Sequence, residues 1–404
     1  MNPHLDRLQP YPFQKLRELF QGIIPPPGPG IDLSIGEPRH PAPELIRTTM
    51  LEHLDRLSNY PATIGLVELR TEIAAWLGRR HAIPVPDADS QVLPVNGSRE
   101  ALFAFAQAVI DPTTTPAPVV LSPNPFYQIY EGAALLAGAE PWYLPTRAEN
   151  GYRIDVHDIP QDVLQRTQLA YLCSPGNPTG HVMTLDEWRE WFDLSDRHGF
   201  IIASDECYSE IHPEQSPPLG ALAAAQQLGR IDYPRLVVFN SLSKRSNVPG
   251  LRSGFAAGNA TILKQFLLYR TYHGSAMSPV TQMVSARAWQ DEAHVTENRR
   301  LYAEKFAAVA PLLRPLLPAG LPDAAFYLWL PTGVDDTVFT RELYRQYGVT
   351  VLPGSYLARD FNGCNPGAGW VRVALVAPLQ ACVEAAHHIA ALYRQLNPHT
   401  EESA

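Results

Sequence analysis

From about residue 91 the chain alternates short apolar, β-rich runs with stretches of helical periodicity, and this alternation most limits what it can fold into. The runs are VLPV (92–95), PVVLS (118–122), QLAYLCS (168–174), FIIASDE (200–206) and RLVVFNS (235–241). Helical stretches lie between several of them, at 99–110, 127–136, 185–198 and 219–228. Uniformly apolar strands that take turns with helices need cover on both faces. The pattern therefore predicts an α/β fold with a mostly parallel central sheet and helices on both sides. With 45% hydrophobic residues among 404, the chain can bury such a core and is not disordered.

The flanking regions read differently. Residues 1–22 predict an amphipathic helix with Leu16, Leu19 and Phe20 on one side, and IIPPPGPG (23–30) predicts a stiff extended linker. Residues 43–57 and 66–81 read as helices. Past the alternating region, a long helical stretch (about 278–317) leads to strand-like runs at 324–330, 349–354 and 370–376. A helix at 338–347 and a last one ending near Leu396 complete a smaller α+β unit. The expected division is an N-terminal arm (1–30), a large domain (31–285), and a small C-terminal domain (286–404) that packs with the N-terminal segment.

Charge narrows the partners. Thirty-two Lys and Arg against 41 Asp and Glu give a net −9, so nucleic acid and anionic membrane are poor partners. An anionic substrate must then be held by a few placed cations. No apolar run approaches the roughly 18 residues of a spanning helix, and the N-terminus lacks a signal-peptide core. The four cysteines show no CxxC, which points to reduced thiols in the cytoplasm. No metal is expected: HExxH is absent, and the adjacent His387 and His388 cannot share a helix face.

In open α/β sheets, ligands bind beyond the carboxyl ends of the strands. SLSKRSNVPGLRSG (241–254) follows one strand directly. Lys244, desolvated there, can serve as an amine nucleophile, and Ser241, Ser243 and Arg252 can hold a phosphate. Asp205 ends another apolar strand, where a carboxylate is costly without a cationic partner such as a pyridinium N–H. Tyr208 can bond a phenolic oxygen of the same ring. Asn177, between two prolines in SPGNPTG (174–180), can do likewise. Gly97, Ser98 and Arg99 place backbone N–H groups at a helix start, which suits an anion. Tyr127 can stack on a flat ring. Taken singly, each segment also reads as something plainer: a polar surface loop, a strand-end acid in an ion pair, an ordinary turn, an aromatic in the core.

Together, Asn177, Asp205, Tyr208, Lys244 and Arg252 resemble, in order and spacing, the signature of the class I/II aminotransferases that use pyridoxal 5′-phosphate. SIGEPRHP (34–41), NYPATIGLVELR (59–70) and WVRVAL (370–375) resemble that family's N-terminal glycine, tyrosine–glycine and C-terminal arginine motifs, so the likeness spans nearly the whole chain. The resemblance implies an aspartate-aminotransferase-like fold (type I of the pyridoxal-phosphate enzymes). It implies Lys244 as the cofactor-bearing catalytic lysine and Asp205 as the partner of the ring nitrogen. Asn177 and Tyr208 would serve the ring oxygen, Tyr127 would stack, and Gly97, Ser98, Arg99, Ser241, Ser243 and Arg252 would cradle the phosphate. Arg372, with Asn177 and the backbone at Gly36, would bind the substrate α-carboxylate. Tyr60 would reach the neighbouring site of a homodimer. Longer stretches, among them CSPGNPTG and VTVLPGSYLAR, resemble the branch that transaminates N-succinyldiaminopimelate in lysine biosynthesis. An aminotransferase for aspartate or another amino acid, or a carbon–sulfur lyase, remains the alternative. Such a substrate carries a distal carboxylate, for which Arg39, Arg245, Arg270 and His273 are the candidate cations.

Overall fold

The computed structural model describes residues 1–318 and 320–398, so the last part of the expected small domain, 399–404, lies outside the described residues. Its centre is a seven-stranded sheet. In spatial order the strands are Val92–Val95, Gly254–Gly258, Leu236–Ser241, Ile201–Asp205, Thr167–Cys173, Val119–Asn124 and Glu140–Pro145. The last five run parallel to one another, as the alternation predicts. Val119–Asn124 and Leu236–Ser241 are buried at every position, so both faces are covered. One face packs on Ile73, Trp76, Trp188, Trp191 and Trp289, the other on Leu102, Phe105, Tyr130 and Phe266.

Two strands of this sheet are additions to the sequence reading. Glu140–Pro145 forms one edge. Gly254–Gly258 inserts antiparallel between Leu236–Ser241 and Val92–Val95. Its glycines are required: a Cβ at Gly254 would run into the Asn240 carbonyl, and one at Gly258 into that of Leu236.

A three-stranded antiparallel sheet, ordered Leu352–Pro353, Trp370–Ala374 and Tyr327–Pro331, packs with the helices Ala293–Leu313, Asp336–Tyr347 and Leu379–Leu396. The N-terminal segment joins this part of the molecule. Ile31–Asp32 pairs in parallel with Val349–Thr350, and Leu16 packs against Trp329, Leu352 and Leu357. The expected helix over 1–22 is split into a 3-10 turn, Pro3–Arg7, and a helix, Pro12–Leu19. The long region near 278–317 is likewise two helices, Pro279–Gln290 and Ala293–Leu313. At the break the Asp291 carboxylate accepts the His294 N–H at 3.2 Å. Among the described residues no helix is long and apolar enough to cross a membrane.

Candidate active site

Strand direction decides where the functional groups meet. Val92–Val95 opposes Gly254–Gly258, which opposes Leu236–Ser241, so Val95 and Ser241 both pair with Gly254 at one level. Asp205 pairs with Cys173 on one side and Phe239 on the other. The turns after Val95, Asn124, Cys173, Asp205 and Ser241, and the loop entering at Gly254, therefore open on a single edge of the sheet. A cavity of about 480 Å³ lies there. Of the sequence-predicted residues, Gly36, Ser98, Arg99, Tyr127, Asn177, Asp205, Tyr208, Ser241, Ser243, Lys244, Arg252 and Arg372 line it. Gly97 is not in the lining, and Tyr60 is fully exposed outside it.

Lys244 sits on the short helix Leu242–Arg245, which starts where the Ser241 hydroxyl accepts the Ser243 N–H at 3.1 Å. Its Nζ donates to the Gly36 carbonyl and faces the rings of Phe326 (5.6 Å) and Tyr208 (6.0 Å). Burial lowers the amine's pKa to about 8, and the charge of Arg372 acts in the same direction. Asp205 is 4% exposed. Its Oδ2 accepts from the Tyr130 hydroxyl at 2.8 Å and its Oδ1 from the Cys207 N–H at 3.3 Å. No salt-bridge partner reaches it among the described residues, and burial pushes its pKa up. A buried carboxylate in this state calls for a cationic N–H.

The helix Ser98–Val109 begins after Gly97, whose φ of +83° turns the chain into the cavity edge. A Cβ at Gly97 would strike the Arg252 guanidinium. That guanidinium donates to the carbonyls of Pro249 (2.9 Å) and Asn96 (3.4 Å), and the Ser241 hydroxyl donates to that of Ser243 at 2.8 Å. Unpaired helix N–H groups, two hydroxyls and a guanidinium make a place for a phosphate. Arg372, on Trp370–Ala374 and 4% exposed, donates to Asn177 Oδ1 (2.9 Å) and the Ser34 carbonyl (2.7 Å). Its buried Nε has no partner among the described residues, and its guanidinium lies 4.5 Å over the Tyr327 ring. Arg99 reaches two phenols, Tyr127 at 2.5 Å and Tyr11 at 3.3 Å.

Among the lining residues that escape the sequence reading are Tyr11, Tyr130, Cys207 and Tyr327. Tyr130 lies three residues after Tyr127, and the two rings meet edge-on at 5.8 Å. Tyr327 bonds Tyr208 (2.8 Å), a contact no spacing foretells. The four candidate distal cations do not line the cavity, which corrects that expectation. Arg245 turns away to Glu292 (2.7 Å), Arg270 holds Glu100 (2.7 Å), His273 lies 3.7 Å from Glu100, and Arg39 faces Asp32 (3.5 Å).

An amine for an aldehyde, a buried acid lacking a counter-ion and a phosphate cradle fit pyridoxal 5′-phosphate, so fold and site together define a pyridoxal-phosphate enzyme of the aspartate-aminotransferase-like architecture. A family model described as aminotransferase class I and II matches residues 29–389, and the chain belongs to that family, whose members depend on this cofactor. An aminotransferase from Neisseria meningitidis is similar in structure, with 53% identity, TM-score 0.94, and 98% of this chain and 100% of that one covered. An LL-diaminopimelate aminotransferase of Aquifex aeolicus is 31% identical, with 95% and 96% covered. A probable N-succinyldiaminopimelate aminotransferase from Thermus thermophilus is 28% identical, with TM-score 0.80 and 94% and 98% covered.

Proposed function

We propose that this aminotransferase works in the cytoplasm in lysine biosynthesis. It converts N-succinyl-LL-2,6-diaminopimelate and 2-oxoglutarate to N-succinyl-2-amino-6-oxopimelate and glutamate. The observation that carries the transamination is the meeting, on one cavity, of an amine with lowered pKa, a buried carboxylate and a buried guanidinium, neither with a counter-ion among the described residues.

When bound, pyridoxal 5′-phosphate supplies an aldehyde carbon for the incoming amine and a ring that accepts electrons from the substrate Cα. Asp205 keeps a proton on the ring nitrogen, and Tyr208 and Asn177 bond the ring oxygen. Tyr127 stacks on the ring. Gly97, Ser98 and Arg99 (through backbone N–H groups), with Ser241, Ser243 and Arg252, hold the phosphate. Lys244, free once substrate has arrived, takes the proton from Cα with its Nζ; an amine with a pKa near 8 suits this near neutrality. Arg372 grips the α-carboxylate beside Asn177 and Gly36, which sets the orientation of the Cα–H bond. Tyr60 of the partner subunit completes the phosphate site of a homodimer. The exposure of Tyr60, with Leu51, Leu54 and Leu57 also exposed nearby in sequence, supports a paired state.

Arg99 supports the choice of substrate. It is the lining cation beside Tyr11 and Tyr127, and no carboxylate of the described residues pairs with it. Glutamate and a succinylated distal end are both anionic there, whereas free diaminopimelate brings an ammonium as well. The curated relatives named for LL-diaminopimelate support that compound as the second reading. Glutamate added to the yellow holoenzyme should bleach the cofactor's absorbance band, and 2-oxoglutarate should restore it. Release of ammonia or carbon dioxide instead would overturn transamination. Comparing kcat/KM on N-succinyl-LL-diaminopimelate, LL-diaminopimelate and aspartate decides the substrate.

A further inference from the structure

Behind the loop that carries Gly36 lies a buried polar chain that no catalytic step uses. Lys305, on Ala293–Leu313, is 4% exposed and has no carboxylate within ion-pair distance among the described residues. Its Nζ lies 2.7 Å from His40 Nε2. His40 Nδ1 lies 2.8 Å from Asn298 Oδ1, and Asn298 Nδ2 donates to the carbonyls of Lys244 (3.2 Å) and Arg245 (3.5 Å).

The directions of these bonds can be worked out. Asn298 points its amide N–H groups at two carbonyls, so its oxygen must accept, as it also does from Asn247 at 3.0 Å. His40 Nδ1 therefore carries the proton and donates. Nε2 is then bare and accepts from the Lys305 ammonium. A one-way relay results, from Lys305 through His40 and Asn298 to the backbone of Lys244. The same loop is held at its other end, where the Ser34 carbonyl accepts from Arg372, and Gly36 between these anchors accepts from Lys244 Nζ. Pro38 and Pro41 stiffen the stretch on either side of His40.

We propose that His40 is a positioning residue for the substrate α-carboxylate: with Lys305 and Asn298 behind it, it holds the Ser34–Gly36 backbone in register with Lys244 and Arg372. This rests on the reading of Arg372 and Gly36 as the carboxylate site. The relay also depends on pH. The groups around the imidazole are Lys305, Glu297 and the Tyr302 ring on one helix, with Cys382 beyond Lys305 and Arg39 next in the chain, paired with Asp32. Burial holds the His40 pKa below its ordinary value of 6.5, Lys305 acts the same way, and the Asn298 bond opposes both. Protonation of Nε2 therefore falls below pH 6.5; once it gains a proton it no longer accepts from Lys305, and the relay opens.

The test compares holoenzymes. His40→Leu keeps bulk but removes donor and acceptor, whereas His40→Gln keeps both and cannot titrate. His40→Leu should raise KM for L-glutamate, and the calorimetric Kd for 2-oxoglutarate, about tenfold, with kcat within about threefold. His40→Gln should restore most of this and remove the rise in KM expected of the parent as pH falls below 6.5. If His40→Leu does not fold, the pH profile of His40→Gln decides alone. Unchanged KM in His40→Leu, or parent and His40→Gln profiles that coincide, overturns the proposal. Arg372→Ala run alongside separates the two levels. If it raises KM while the His40 variants do not, this inference alone fails; if it too leaves KM unchanged, the carboxylate site itself is misplaced.

Discussion

Replacing Arg372 by alanine tests the substrate grip directly. In the free protein its guanidinium spends two N–H groups on neutral partners, Asn177 Oδ1 and the Ser34 carbonyl, and leaves Nε–H unused. A substrate carboxylate would take two charge-assisted hydrogen bonds in a site almost closed to water. At about 1.5–3 kcal/mol each, truncation should cost about 3–5 kcal/mol of transition-state binding. That is a fall in kcat/KM of about 10² to about 5 × 10³-fold. Arg372→Lys keeps the charge but not the planar fork, so it should recover only part of the loss. The assay is the single-turnover rate with L-glutamate, followed through the cofactor's absorbance at increasing glutamate concentration. Folding should change little, because the charge has only neutral partners before substrate arrives. A melting midpoint within about 1 °C of the parent would show this, about 1 kcal/mol at this chain length. If Arg372→Ala folds and keeps kcat/KM within about threefold, smaller than one charge-assisted bond supplies, the α-carboxylate does not bind there.

Two further outcomes follow from the same geometry. Because burial and the Arg372 charge bring Lys244 to a pKa of about 8, the rate at which apoenzyme takes up pyridoxal 5′-phosphate should climb as pH rises and level off above that value. A rate still climbing at pH 10, measured by stopped-flow absorbance, would contradict a desolvated amine. Arg99→Ala should lower kcat/KM about 10- to 100-fold for glutamate, about 1.5–3 kcal/mol for one charge-assisted contact, and leave alanine nearly unaffected. Equal losses on both substrates would assign Arg99 to the cofactor instead.

What could be read in the sequence follows from how local each cause is. Strands such as Leu236–Ser241 announce themselves through apolar β-branched and aromatic residues. Gly254–Gly258 (GFAAG) has little strand propensity, and its place comes from close packing against Leu236–Ser241, where only glycine fits the neighbouring carbonyls. Lys244, Asp205 and Asn177 were legible because each lies at or just after a strand's carboxyl end, where topology alone aims it at a ligand. The cation proposed here for the distal carboxylate was not legible. Arg245 is next to Lys244 in sequence, yet one residue along a helix turns a side chain by about 100°, and it points into the protein toward Glu292. Arg99 was read as a backbone donor, and its side chain acquires meaning only when the N-terminal helix brings Tyr11 to it.

The net charge of −9 argues against an anionic substrate at long range, and the cavity shows why that argument does not reach the site. Four cations line it, Arg99, Lys244, Arg252 and Arg372, against two carboxylates, Glu37 and Asp205. Charges beyond about 8–10 Å are largely screened in physiological salt, whereas groups on a secluded wall act at full strength on what enters. Among the described residues Arg252 and Arg372 meet carbonyl and amide dipoles and no carboxylate, so a bound phosphate or carboxylate would complete an unfinished set of interactions. The acidic remainder of the surface then serves solubility, and under the proposed function the recognition of anionic groups is left to those few guanidinium groups, whose positions the strand directions determine.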